Sequence, residues 1–151
     1  MHLRPFRETD LDTLYAIDQV CFAEGIAYSK SDLSDFLQQP RSFNQVAESE
    51  PGTIVGFCIA QEYTQRRKRI GHIVTIDVLP NARRMGIGGA LMEAVEAHFR
   101  TLFTECIHLE VAVDNLGAQN FYQRCGFEII GRIPNYYLGR LDALAMQKVI
   151  G

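Results

Sequence analysis

Hydrophobic residues alternate with polar ones in some stretches of the chain and recur every three to four residues in others. The switches between these two periods mark the elements. His2–Phe6 reads as a short strand. Thr9-Asp10 then caps a helix with Leu11, Leu14, Tyr15, Asp18, Cys21 and Phe22 on adjoining faces. A second helix over Ser31–Gln39 turns Leu33, Phe36 and Leu37 inward and stops at Pro40. Three strand-like runs follow, Phe43–Glu48, Ile54–Tyr63 and Gly71–Leu79, joined by Glu50-Pro51-Gly52 and by the basic tip Arg66-Arg67-Lys68-Arg69. They form an antiparallel meander. The pattern then predicts a helix (Ile87–Arg100), a strand (Cys106–Val113), a helix (Leu116–Cys125), a strand (Phe127–Ile133), a loop, and a last strand (Asp142–Val149).

The passage from the Gly71–Leu79 strand through a helix to the Cys106–Val113 strand implies a right-handed crossover, so these two strands run parallel. The expected fold class is therefore mixed α/β: a mostly antiparallel sheet with one central parallel pair and helices on both faces. No repeat, low-complexity tract or linker interrupts the 151 residues, which fit one domain over 1–151. At 47% hydrophobic and 22% charged residues the composition excludes disorder. A net charge of −3 argues against DNA or other nucleic acid as a general partner. The basic run at Arg66–Arg69 is then a solvated hairpin tip, or a contact for an acidic partner. Cys21, Cys58, Cys106 and Cys125 lack metal-ligand spacing, so no metal is expected and the thiols are read as reduced. No segment reaches the ~18 apolar residues of a membrane span, and no signal peptide opens the chain. A cytoplasmic protein without membrane partners, monomeric or weakly homodimeric, is the expectation.

The chemistry concentrates at Arg83-Arg84-Met85-Gly86-Ile87-Gly88-Gly89, between a strand pattern and a helix pattern. Glycines let backbone N–H groups approach an anion closely, and a helix start adds roughly half a positive charge. The run lacks the Lys-Ser/Thr of a P-loop and the spacing of a dinucleotide fingerprint. It suits a diphosphate, or is an ordinary glycine-capped helix start.

Three segments taken in order carry a resemblance. Ile76-Asp77-Val78-x-Pro80 runs into Arg84–Gly89; Leu109-Glu110-Val111 precedes Asn115, Ala118, Phe121-Tyr122 and Gly126-Phe127; and Asn135-Tyr136-Tyr137 precedes Asp142-Ala143. Together they resemble the GNAT N-acetyltransferases, and within them the RimI type that acetylates ribosomal-protein N-termini, with its archaeal and eukaryotic relatives. The resemblance implies a GNAT fold whose parallel strands splay, and acetyl-CoA as cosubstrate. Its pantetheine would lie along Ile76, Asp77 and Val78, with the Val78 N–H facing the thioester oxygen, and Asn115 would also bond it. Its pyrophosphate would lie on Arg83, Arg84, Met85, Gly86, Ile87, Gly88 and Gly89. From the residues alone, Asn115 serves equally as a helix N-cap and Val78 as a core valine.

The resemblance also implies Glu110 as general base and Tyr122 as general acid. Glu110 shares its strand face with His108 and Ala112, where a carboxylate meets either solvent or a site; burial there is expected to raise its pKa. A phenol, with a pKa of about 10, stays protonated at neutral pH. Tyr122 is otherwise a core tyrosine. His72 opens its strand where some relatives carry their base, and is the rival. Tyr28, His72, Tyr136 and Tyr137 are the candidate acceptor contacts, Tyr136 and Tyr137 in a loop before the last strand. Acceptor readings remain open: a protein N-terminal α-amine, a small amine such as an amino acid, polyamine or drug, or no turnover in an acyl-CoA-binding module. The short Leu138–Leu141 stretch and the loop Ala23–Ala27, both framing the groove, differ from the usual pattern.

Overall fold

A computed structural model describes residues 1–151. Seven strands form one sheet in the order β1-β2-β3-β4-β5-β7-β6. They are β1 (His2–Pro5), β2 (Ser42–Glu50), β3 (Thr53–Gln65), β4 (Lys68–Val78), β5 (Cys106–Ala112), β6 (Glu128–Tyr137) and β7 (Leu141–Val149). Four helices complete the chain: α1 (Leu11–Cys21), α2 (Lys30–Leu37), α3 (Ile87–Thr101) and α4 (Leu116–Arg124). All strand pairs are antiparallel except β4 with β5. This is the expected mixed α/β sheet. No helix is long and apolar enough to cross a membrane.

Two cores sandwich the sheet. On one face α3 sets Ile87, Leu91, Met92, Val95 and Phe99 at helical spacing against Ile73, Ile107, Leu109 and Met146. On the other, Leu14 and Ile17 of α1 and Leu33 and Leu37 of α2 cover Val46, Phe57 and Ile59. Burying each such side chain contributes about 1.5–3 kcal/mol. The fit is tight at Gly71, where an added Cβ would stand 2.6 Å from the Phe99 ring.

Parallel pairing of β4 with β5 lasts only from Ile70 to His72 against Cys106 to His108. Beyond that point β5 continues beside β7 as far as Ala112, while β4 runs to Val78 with only β3 beside it. The cause of the divergence is visible in the register. Ile59 pairs with Thr75 but Ala60 pairs with Ile73, so Val74 is an extra residue on β4, a bulge that bends and twists the strand. The resulting gap lies at the carboxyl ends of a parallel pair.

Several boundaries differ from the sequence pattern. Asp10 does not cap α1 with its side chain; it takes a bidentate pair from Arg4 at 2.8 and 2.9 Å and a third bond from the Arg7 N–H. Ser29 caps α2, accepting from the Asp32 N–H at 3.0 Å. The basic tip shrinks to a two-residue turn of Arg66 and Arg67, both at positive φ. Lys68 and Arg69 lie on β4, near Glu105 and Glu62. β6 runs on to Tyr137, so Tyr136 and Tyr137 stand on a strand rather than in a loop. Asn135 at positive φ and a register shift between Ile133 and Tyr137 interrupt the alternation there, and the Tyr136 and Tyr137 rings meet edge-on at 4.9 Å.

Candidate active site

The Glu110 carboxylate lies near the fork of β4 and β5. Its Oε1 sits 2.8 Å from His72 Nε2 and 3.3 Å from the Tyr136 hydroxyl. His72 and His108 are parallel-pair partners across the two strands, and Glu110 follows His108 by two residues on the same face. Burial pushes the Glu110 carboxyl upward, but the hydrogen bond and charge of His72, the Tyr136 hydroxyl and the charge of His108 outweigh it. The net shift is downward, contrary to the expected rise. Partners decide here, and burial does not. An ionised carboxylate can only accept, so the His72 Nε2–H donates in this bond.

Tyr122 arrives from the opposite face. Its ring packs in the α3 core, 5.3 Å from Phe121 and 5.9 Å from Phe127. Burial raises its pKa, as do Asp77, Tyr137 and Tyr28, groups from β4, β6 and the α1–α2 loop. The phenol proton is therefore held firmly at neutral pH. Tyr28 stands edge-on to Phe36 and points its hydroxyl at the Val74 carbonyl, 3.5 Å away. Its backbone N–H donates to Asp18 Oδ2 at 2.7 Å. Across from it, Leu138 in the β6–β7 turn lies against Gly25 of the α1–α2 loop, so the two segments framing the groove touch.

On the far side of the gap, the Leu79 N–H bonds to the Val55 carbonyl of β3 at 2.9 Å. Main-chain groups alternate sides along a strand, so the Val78 N–H faces the gap. Arg84 and Gly86 take left-handed conformations, φ 65° and 79°, leading into α3, whose first N–H groups have no partner within the helix. Gly86 is required by its φ. Gly88 is closely packed: an added Cβ would meet the Phe121 ring at 3.1 Å, so the ring would have to shift by a few tenths of an ångström. Nothing lies near the corresponding point on Gly89.

The side chains of three candidate donor contacts, Asp77, Arg83 and Asn115, are engaged within the protein. The Asp77 side chain is buried against α1, because the bulge at Val74 reverses the phase that strict alternation would give it relative to His72. Its side chain is unavailable to a ligand in the gap. Arg83 is tied down, its Nε donating to the Val78 carbonyl at 3.0 Å. Asn115 is the N-cap of α4, its Oδ1 accepting from the Ala118 N–H at 3.1 Å. Sequence reasoning assigned no role to Asp18, whose only signal was an acidic residue among the inward positions of α1. Ile76 and Val78 lie on β4, Arg84 and Met85 are exposed in the loop after it, and Ile87 and Gly89 are in the first turn of α3.

The model of the acetyltransferase (GNAT) family matches residues 11–127. The chain belongs to this family. Over 95% of its length it is 29% identical to an N-alpha-acetyltransferase of Sulfurisphaera tokodaii, covering 90% of that protein. Ard1 from Thermoplasma volcanium superposes with a TM-score of 0.89 at 30% identity, over 99% of this chain and 97% of that one. The ribosomal-protein-S18-alanine N-acetyltransferase of Escherichia coli gives a TM-score of 0.83 at 27% identity, over 99% and 94%. As a GNAT enzyme, the chain is an acyltransferase acting on an amine.

The depressed Glu110 pKa makes a prediction about stability. Its contribution is present above the unfolded value of about 4.5 and is lost as pH falls through the lower folded value. In thermal melts the wild type should therefore lose its advantage over Glu110→Gln as pH drops below that range, with the gap constant at neutral pH.

Proposed function

We propose that the protein transfers the acetyl group of acetyl-CoA to the α-amine of a protein N-terminus. The observation that carries this reading is the Glu110–His72 pair at the fork of two splayed strands, opposite a buried phenol and walled by tyrosines. The relatives named as Nα-acetyltransferases support the acceptor class. The residues present fit the donor: a β4 edge without a strand partner past His72, and an α3 start entered through left-handed backbone. The main chain of Ile76–Val78 would hold the pantetheine in the manner of an added strand. Arg84–Gly89 would hold the pyrophosphate. Bound there, acetyl-CoA supplies an acyl group already activated as a thioester.

The chain's own groups do the rest. The Val78 N–H offers a hydrogen bond to developing negative charge in the gap. Glu110 and His72 act as one basic unit: the carboxylate fixes the imidazole through the 2.8 Å bond and offsets the charge the imidazole gains with the proton. An α-amine, with a pKa of about 8, is roughly a tenth neutral at pH 7, against well under a thousandth for a lysine side chain. Tyr122 Oη holds the proton that a departing thiolate takes up. Tyr28, Tyr136 and Tyr137 wall the acceptor side, with Tyr136 also bonded to Glu110.

If the pair works as one, Glu110→Gln and His72→Ala each lower kcat by about 10²–10⁴, and the double variant costs little more than either. Additive losses would separate the two roles. The acceptor is tested on a panel of N-terminal peptides beside free amino acids, polyamines and lysine side chains. Peptide α-amines should be acetylated fastest; faster turnover of free amines would favour the small-molecule reading.

The donor loop has its own test. Gly89→Ala meets no neighbour and raises helix propensity, so Tm should hold or rise while the KM for acetyl-CoA increases. Unchanged donor KM would remove Gly89 from the phosphate contacts.

A further inference from the structure

Two carboxylates meet inside the protein, Asp18 from α1 and Asp77 from β4. Asp18 is 0% exposed and Asp77 1%, and neither takes part in an ion pair. Each has one satisfied oxygen. Asp18 Oδ2 accepts from the Tyr28 N–H at 2.7 Å, and Asp77 Oδ1 accepts from the Thr75 hydroxyl. The remaining oxygens, Asp18 Oδ1 and Asp77 Oδ2, are sealed from solvent without a donor, and the two side chains are within hydrogen-bonding reach of each other. Two adjacent buried anions with orphaned oxygens are strongly unfavourable. A single proton between them satisfies both oxygens and halves the buried charge.

We propose that Asp18 and Asp77 share one proton and act as a positioning pair that clasps α1 to β4 and fixes Tyr28 as a wall of the acceptor groove. The clasp joins the two sides of the chemistry: Asp18 holds the Tyr28 main chain, and Asp77 immediately precedes Val78. The groups that face it are Cys21 from α1, Tyr28 from the following loop, Cys58 from β3, Thr75 from β4, Arg83 after β4, and Tyr122 from α4. Arg83 is the one cation among them, and its Nε is already bonded to the Val78 carbonyl. Burial first, and Asp18 second, push the Asp77 carboxyl well above its ordinary range.

The sign of the linkage follows. A carboxyl whose folded pKa exceeds its unfolded value of about 3.8 contributes stability that is full below that value and is lost as pH rises through the folded one. In Asp18→Asn the amide keeps an oxygen for the Tyr28 N–H and supplies an N–H in place of the shared proton. The buried charge stays at one and no proton remains to be lost. Asp18→Ala removes both bonds.

The test compares wild type, Asp18→Asn and Asp18→Ala in two measurements. The Tm of Asp18→Asn should gain on wild type progressively as pH rises from about 4 to about 9. The acceptor KM should stay within about twofold in Asp18→Asn and rise on the order of tenfold in Asp18→Ala, with the KM for acetyl-CoA unchanged. The kinetic arm rests on the acceptor reading above and uses whichever amine turns over fastest; the thermal arm needs no substrate and stands if that reading fails. Parallel Tm curves for wild type and Asp18→Asn would overturn the shared proton. An unaltered acceptor KM in folded Asp18→Ala would overturn the positioning role; should Asp18→Ala not fold, a large rise in acceptor KM for Asp18→Asn would do so.

Discussion

Three residues of parallel pairing, followed by divergence, organise the functional half of this protein. β5 stays hydrogen-bonded to β7 along its length, so it cannot follow β4 away. β4 stays bonded to β3, but the extra residue at Val74 bends it out of the plane it shared with β5. An unpaired main-chain edge inside a sheet is costly unless water or a ligand completes it. This edge lies directly beyond the fork where His72 and Glu110 meet, and the α3 start follows it in the chain. The open β4 edge beside the His72–Glu110 pair thus follows from one local mismatch in strand register, and the proposed donor site lies along it.

Electrostatics then sorts the groups around the gap. Glu110 is half-buried, yet its partners hold it ionised; Tyr122 is more deeply buried and keeps its proton. In the proposed reaction, the carboxylate–imidazole pair on one face would accept a proton and the protonated phenol on the other would supply one. The phenols of Tyr28, Tyr136 and Tyr137 are all shifted upward, first by burial, so these three side chains remain neutral near pH 7. The buried carboxylates of Asp18 and Asp77 lie behind Tyr28.

Most of the element order was legible from hydrophobic period alone, because each strand and helix buries one face. What period could not reveal was phase. A single bulge at Val74 put Asp77 on the α1 face, where strict alternation from His72 placed it on the other. Charge direction was equally hidden: burial of Glu110 was readable from its strand, but the offsetting His72 bond comes from a residue 38 positions away. The close packing of Gly88 against Phe121 on α4 was likewise hidden, because the two residues are far apart in the chain. The tyrosines lay in an apparent loop because Pro134 and Asn135 interrupt the strand pattern, although β6 continues through them to Tyr137 at the edge of the sheet, where a missing ladder donor is tolerated.

The open β4 edge is the feature on which the functional account stands, and amide hydrogen exchange reads it directly. In the free protein the gap-facing N–H of Val78 should exchange much faster than the paired N–H of Leu79. Saturating acetyl-CoA should slow Val78 exchange by on the order of tenfold or more, since main-chain bonding along β4 replaces water. Tight binding of acetyl-CoA with no change in Val78 exchange, and protection appearing on another part of the sheet, would contradict the account.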